Sequence, residues 1–244
     1  MTVQEFKNEF NIHYNAIATQ SAPSIDDYEL SVYLTKAQLE IVKNYYDPAS
    51  NRKLKGFENS EKRRVDLKEL VKEFDTNTEI TTTLGLTNNS KFFKVPDETF
   101  IIIYECLKCN INNCGETELN VVPKTHDEFN IQYKNPFKRP NKNKVWRLDI
   151  SKINNDKVVE LITPYTVSNY KIRYIKYPKP IIISDLSTTF PGEGLSINGF
   201  TNIQQCELNQ EIHPEILDRA VQLALRDYKP SNLESKIQLD QRNE

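Results

Sequence analysis

The sequence predicts an α+β protein with a helical N-terminal third, a mainly antiparallel β middle and a C-terminal helix packing back on the rest. Two observations carry this. Apolar residues recur at spacings of three and four before residue 75 and again after residue 212, the period of a helix with one buried side. Between these stretches the chain changes to short β-branched and aromatic runs separated by Asn-, Thr- and Pro-rich breaks, the pattern of strands and turns. Strands do not alternate with helices as they do in βαβ units.

Residues 3–18 place Val3, Phe6, Phe10 and Ile17 on roughly one side of a first helix. SAPSIDD then breaks the chain, and Asp26 or Asp27 is suited to cap the next helix. That second helix, 28–46, has the most regular stripe: Leu30, Leu34, Ala37, Ile41 and Tyr45, flanked by Tyr33 and ended by Asp47-Pro48. A third helix is predicted over 59–74, with acid near its start and Leu67, Leu70, Val71 and Phe74 as its apolar side. Strands follow at 100–108 and 118–123, a hairpin across an Asn-rich connector, and then at 145–150, 158–163 and 170–177. Pro178 and Pro180 close the last strand and keep the chain extended, so 181–183 is a candidate for one more short strand. Residues 190–201 hold three of the six glycines and read as a loop. His213-Pro214-Glu215 opens the last helix with Pro in its first turn. Ile216, Leu217, Ala220, Val221 and Ala224 form its buried side, and it ends near Tyr228.

These elements divide the chain into a helical subdomain, 1–75, a β-rich body, 76–211, and a C-terminal helix with an interacting tail, 212–244. After Pro230 only Leu233, Ile237 and Leu239 are apolar. Ordering such a tail costs on the order of 1–2 kcal/mol per residue in backbone entropy, so it calls for contact with another chain.

At 244 residues the chain fits one large or two small domains. Leu, Ile, Val and Phe supply 67 residues, enough for a core. The longest unbroken apolar run is 100–104, against about 20 residues for a spanning helix, so no membrane passage is expected. The first ten residues lack an apolar leader, so no secretory signal is expected. Four cysteines in this length are not a disulfide framework, which points to a reducing compartment. Lys, Asn, Ile, Tyr and Phe total 94 residues against 34 for Ala, Gly, Pro and Arg, a bias that follows AT-rich coding.

Candidate chemistry is sparse. Cys106, Cys109 and Cys114 make C-x2-C-x4-C, whereas a zinc ribbon needs two C-x2-C pairs to close a tetrahedron of thiolates. His126 and Cys206 are the remaining candidates to complete such a shell, and free cysteines on an apolar strand are ordinary core residues. No metal and no cofactor are expected. The histidines, His13, His126 and His213, form no H-E-x-x-H, and no G-x-S-x-G accompanies His126-Asp127-Glu128. Pro191-Gly192-Glu193-Gly194 lacks the Lys-Ser/Thr of a phosphate loop. The residues therefore predict no enzyme and no catalytic site.

Charge is more informative. Residues 1–128 carry 15 bases and 21 acids, 129–184 carry 12 and 3, and 185–244 carry 5 and 10. Within the basic block, 134–147 has six bases and no acid, and 170–180 has four bases interleaved with tyrosines. Bases with aromatics suit a nucleic-acid groove, phosphates on Lys or Arg and bases of the nucleic acid on the rings. A basic belt between acidic ends equally suits a self-assembling subunit, in which opposite charges fix a head-to-tail register. Prolines at 136, 140, 178 and 180 stiffen the basic segments and lower the entropy lost on docking, which favours protein contact. Phe137, Lys138, Arg139, Lys142, Lys144, Lys176 and Lys179 are the residues expected to make it.

Several stretches carry a resemblance. They are residues 28–46 with GFENSEKRR at 56–64, NPFKRP at 135–140, YIKYPKPII at 174–182, and CELN at 206–209 running into HPEILDRAV at 213–221. In this order and spacing the chain resembles the neck and tail ring proteins of crAss-like bacteriophages, whose AT-rich genomes agree with the coding bias. The resemblance implies a structural virion protein, assembled in the host bacterial cytoplasm. It implies a homo-oligomeric ring of about twelve copies in the head-tail connector, stacked with the portal protein and neighbouring ring proteins. It also implies that genomic DNA passes the lumen without sequence-specific binding, that there is no membrane partner, and that there is no catalysis. A nucleic-acid-binding protein using 134–147 and 170–180 is the alternative.

Overall fold

The computed structural model describes residues 1–17, 24–47, 56–82, 84–111, 115–141, 143–153 and 155–228. The tail at 231–244, Cys114 and Lys142 lie outside the described residues. Contacts gather the chain into two compact units. One is the described part of Met1–Leu70 and Pro178–Glu244, here the helical unit. The other is that of Val71–Tyr177, the β unit.

In the helical unit, α1 (Val3–Ile17), α2 (Asp27–Tyr46) and α6 (His213–Tyr228) supply the core. Asp26 caps α2 through a reciprocal box: its carboxylate accepts from the Glu29 N–H at 2.7 Å, and Glu29 reaches back to the Asp26 N–H. The α2 stripe is buried at Leu30, Ser31, Leu34, Ala37, Gln38, Ile41 and Val42. It packs against α6, where Ile216, Leu217, Ala220, Val221 and Ala224 are all buried. Phe6, Phe10 and Tyr14 of α1 are buried and pack on the same helix; each such side chain removed from water contributes about 1.5–3 kcal/mol. The expected third helix is shorter than predicted. α3 covers Glu61–Leu67, a 3-10 turn covers Lys68–Leu70, and Val71–Thr76 is a strand. Val71 and Phe74 are β-prone residues whose apolar side is claimed by a sheet partner rather than by the helix.

The segment at 181–183 is extended but forms only one bridge, Ile182 to Gln204. Its other backbone groups are served by α2 side chains. The Ile183 N–H donates to Ser31 Oγ at 3.0 Å and the Ile181 N–H to Thr35 Oγ1 at 3.1 Å. Gln38 Nε2 donates to the Lys179 carbonyl at 2.9 Å. Polar residues at spacings of four and three on one helix side thus take the place of a neighbouring strand. α5 (Leu186–Thr189), capped by Asp185, and a 3-10 turn (Gln210–Ile212) complete the unit.

The β unit is one seven-stranded sheet: β1 (Val71–Thr76), β2 (Ser90–Lys94), β3 (Thr99–Ile111), β4 (Gly115–Pro123), β5 (Lys144–Asp149), β6 (Val158–Ile162) and β7 (Thr166–Lys176). Their order is β1-β7-β3-β4-β5-β6-β2. The β3–β4 hairpin falls where expected; β1 and β2 are strands the sequence reading did not identify. All pairs are antiparallel except β4–β5. Their parallel pairing needs a crossover, which α4 (His126–Tyr133) supplies.

The sheet curls onto itself. β7 and β2 stand five places apart, about 24 Å in a flat sheet, yet the Phe93 and Tyr170 rings lie 5.6 Å apart. Just past β1 the chain reaches the far edge: Glu79 bridges Phe93, and the Ile80 N–H donates to the Phe92 carbonyl at 2.8 Å. Register shifts along β3 supply the bending. The concave side holds one apolar core, including Phe93, Leu107, Leu119, Val145, Leu161 and Tyr170. A buried ion pair, Arg147 to Glu105, joins β5 to β3, and Arg147 Nε lies 3.2 Å from Asp149.

Candidate subunit-contact surface

The basic segment 134–147 leaves α4 and returns into β5. Thr125 Oγ1 accepts from the Glu128 N–H at 3.2 Å and starts α4. Phe129 and Tyr133, four apart on the helix, then pack against Trp146, Leu148 and Ile162 of the sheet's other side. Ile131 points away and is 74 % exposed. Beyond the helix the turn is held by its own side chains. Asn135 Oδ1 accepts from the Phe137 N–H at 3.0 Å, and Asn141 Oδ1 from the Asn143 N–H at 3.0 Å. Arg139 Nε donates to the Tyr133 carbonyl at 2.5 Å, with its guanidinium 5.1 Å from the centre of that ring. On this pinned turn Phe137 is 94 % exposed, flanked by exposed Lys134 and Lys138. Lys144 is half-buried at the start of β5.

The second basic segment is built differently. Along β7, Tyr170, Ile172 and Tyr174 are buried, while Lys171 and Arg173 face out. Both cations bind Glu73 on β1, at 2.5 and 2.9 Å, and their hydrogen bonds hold its carboxyl below the usual range. Tyr174 donates to Glu98 at 2.7 Å, and burial with that bond pushes its hydroxyl up to about 12. Lys176 ends β7, half-buried. Lys179 belongs to the helical unit, where Glu207 accepts its N–H at 3.1 Å and lies 3.7 Å from its ammonium. The structure therefore leaves Phe137 and Lys138 open, spends Arg139 on holding their turn, and pairs Lys179 within its own chain.

The rings expected to stack on nucleotides are mostly interior. Trp146, Tyr170 and Tyr174 are buried, and Tyr177 sits edge-on against Phe100 at 5.4 Å. The strict alternation of Tyr or Ile with Lys or Arg over 170–174 is the signal in the sequence for this arrangement. Ile131 was missed for want of a recognised α4; Thr125 and Glu128, three apart, mark its start.

Two of the cysteines are core residues. Cys106 and Cys109 are buried on β3, and burial pushes the Cys109 thiol up to about 11. Cys206 is also held up to about 11 by burial, beside Gln38. A metal takes the thiolate, and among the described residues no group of three or more His, Cys, Asp or Glu could hold an ion. His126 is exposed, with Nε2 3.2 Å from the Asp149 carbonyl. Among the described residues no helix is long and apolar enough to cross a membrane.

Comparison with known proteins shows that the chain is a phage structural protein of the ring-forming class. It belongs to the phage tail ring protein 3/4 family, whose model matches residues 1–235. It is 40 % identical over 247 aligned residues to ring protein 4/5 of Bacteroides phage crAss001, covering all of both chains. It is 39 % identical over 228 residues to ring protein 3 of the same phage, covering 92 % of this chain and 95 % of that one. Membership implies a place in the virion and assembly with other ring or tail proteins.

Proposed function

We propose that the protein is a non-catalytic subunit of a ring of about twelve copies in the neck or tail. This head-tail connector stacks with the portal and neighbouring ring proteins, and DNA passes through its lumen. It works without metal or cofactor. The observation that carries the reading is Phe137, 94 % exposed on a pinned turn in a segment with no acid. An exposed ring held rigidly loses little entropy on docking. A strongly basic channel lining would grip duplex DNA and hinder its sliding, so the segment faces protein rather than the lumen.

The triple variant Phe137→Ser, Lys138→Ser, Lys144→Ser tests this. Mixed with the portal and neighbouring ring proteins, wild-type chain assembles into rings visible by electron microscopy, and the variant does not, while its melting temperature is unchanged. Wild-type chain that stays monomeric in that mixture overturns the reading. Tight, salt-sensitive DNA binding that the same variant abolishes would favour the nucleic-acid alternative instead.

A further inference from the structure

We propose that the Phe137 turn of one copy docks on the 190–211 surface of the helical unit of the next copy, a stretch with three acids and no Lys or Arg. This inference rests on the ring reading above and names the two surfaces that meet. Residues 180–218 hold six acids and no Lys or Arg, the opposite of 134–147. Four of the six are engaged within the chain: Asp185 caps α5, Glu207 meets Lys179, Glu215 meets Lys62, and Asp218 lies 3.7 Å from His13. Glu193 and Glu211 are exposed, and their carboxylates make no ion pair among the described residues.

The same stretch also exposes apolar residues. Phe200 is 38 % exposed and Ile203 is 55 % exposed. Phe200 closes a tight turn with Ile197, each N–H donating to the other's carbonyl at 3.0 Å. Asn198 at φ 51° and Gly199 at φ 83° occupy the left-handed region that such a turn requires. Phe190, Leu195 and Ile197 anchor the stretch around Glu193 on Leu186 and α2. Each stretch thus carries exposed apolar side chains, and the charges are opposite, with 1–70 plus 178–244 net −5 and 71–177 net +3 over the full sequence. The two stretches lie on different parts of the chain, so pairing them is a heterologous contact, the kind that propagates around a ring. A second copy is therefore the occupant that fits.

The test places the photo-crosslinker p-benzoylphenylalanine at position 137 in rings assembled from full-length chain. Crosslinks are expected within residues 190–211 of another copy. In parallel, Lys134→Glu with Lys138→Glu should lower ring yield by about tenfold, and adding Glu193→Lys and Glu211→Lys to the same chain should restore it to within about threefold. Rings that form normally but crosslink elsewhere, or whose yield the added Glu193→Lys and Glu211→Lys fail to restore, overturn this contact and leave the ring reading standing. Wild-type chain that forms no ring with its neighbours overturns both.

Discussion

The two units solve the same problem, burying polar backbone, by opposite means. The β unit uses ladders and rolls the sheet until Glu79 and Ile80 meet β2, so that its far edges are joined through its own chain. The helical unit instead threads the 178–183 segment along α2 and satisfies it with Ser31, Thr35 and Gln38. One unit is a single continuous stretch; the other needs both ends of the chain to meet. The lesson is that polar residues carry different weight in each. In the β unit the buried ion pair joins strands that backbone ladders already hold. In the helical unit polar side chains take the place of a ladder along 179–183.

The largest effect should come from breaking the β unit's buried pair. Arg147→Met leaves Glu105 charged and unpartnered inside the sheet and should cost about 3–5 kcal/mol in chemical denaturation. Combining it with Glu105→Leu should recover most of that loss, because the backbone ladder stands without the pair. No recovery in the double variant would show that the pair specifies the fold and would erase the contrast.

Next, Ser31→Ala and Gln38→Leu should each cost about 1–3 kcal/mol, by stranding buried backbone groups of the 179–183 segment. Here no compensating apolar partner exists, since the stranded groups are main chain. Costs near zero would mean that water serves these groups and that α2 does not replace a strand.

The smallest effects concern pH, and in the helical unit they oppose one another. Asp66 is 1 % exposed and neither carboxylate oxygen has a hydrogen-bond partner among the described residues. Burial first, then Glu215 and Glu211, raise its pKa despite Lys62. Its contribution is therefore fully present below the usual carboxylate range and is lost as pH rises through the raised value. Asp66→Asn should stabilise at neutral pH and lose that advantage in acid. His213 is buried. Its Nε2–H donates to the Leu208 carbonyl at 3.1 Å and its Nδ1 accepts from the Met1 ammonium at 2.7 Å. Burial lowers its pKa, so its contribution is fully present above the usual imidazole range and is lost as pH falls through the lowered value. Thermal melts from pH 7.5 to 5 should show this loss, and His213→Gln should flatten it. An unchanged slope in that variant would assign the acid sensitivity to another group.

Much of this was legible in the residues themselves. The α2 and α6 stripes, the β3–β4 hairpin and the charge segregation are local patterns, each fixed by spacing or composition within a short window. The acid-free run around Phe137 likewise marked the candidate contact surface, because nothing nearby in sequence could neutralise it. Other features depended on partners remote in sequence. Val71 and Phe74 suit a helix as well as a strand, and only pairing with β7 settles which. Ile181–Ile183 look like a strand, but the neighbour that satisfies them is a helix. Lys171 and Arg173 read as an open basic patch until β1 brings Glu73 across to both. A sequence determines what each segment can bury; which groups then satisfy or neutralise one another is decided by the tertiary fold, because those free energies depend on distance in space and not along the chain.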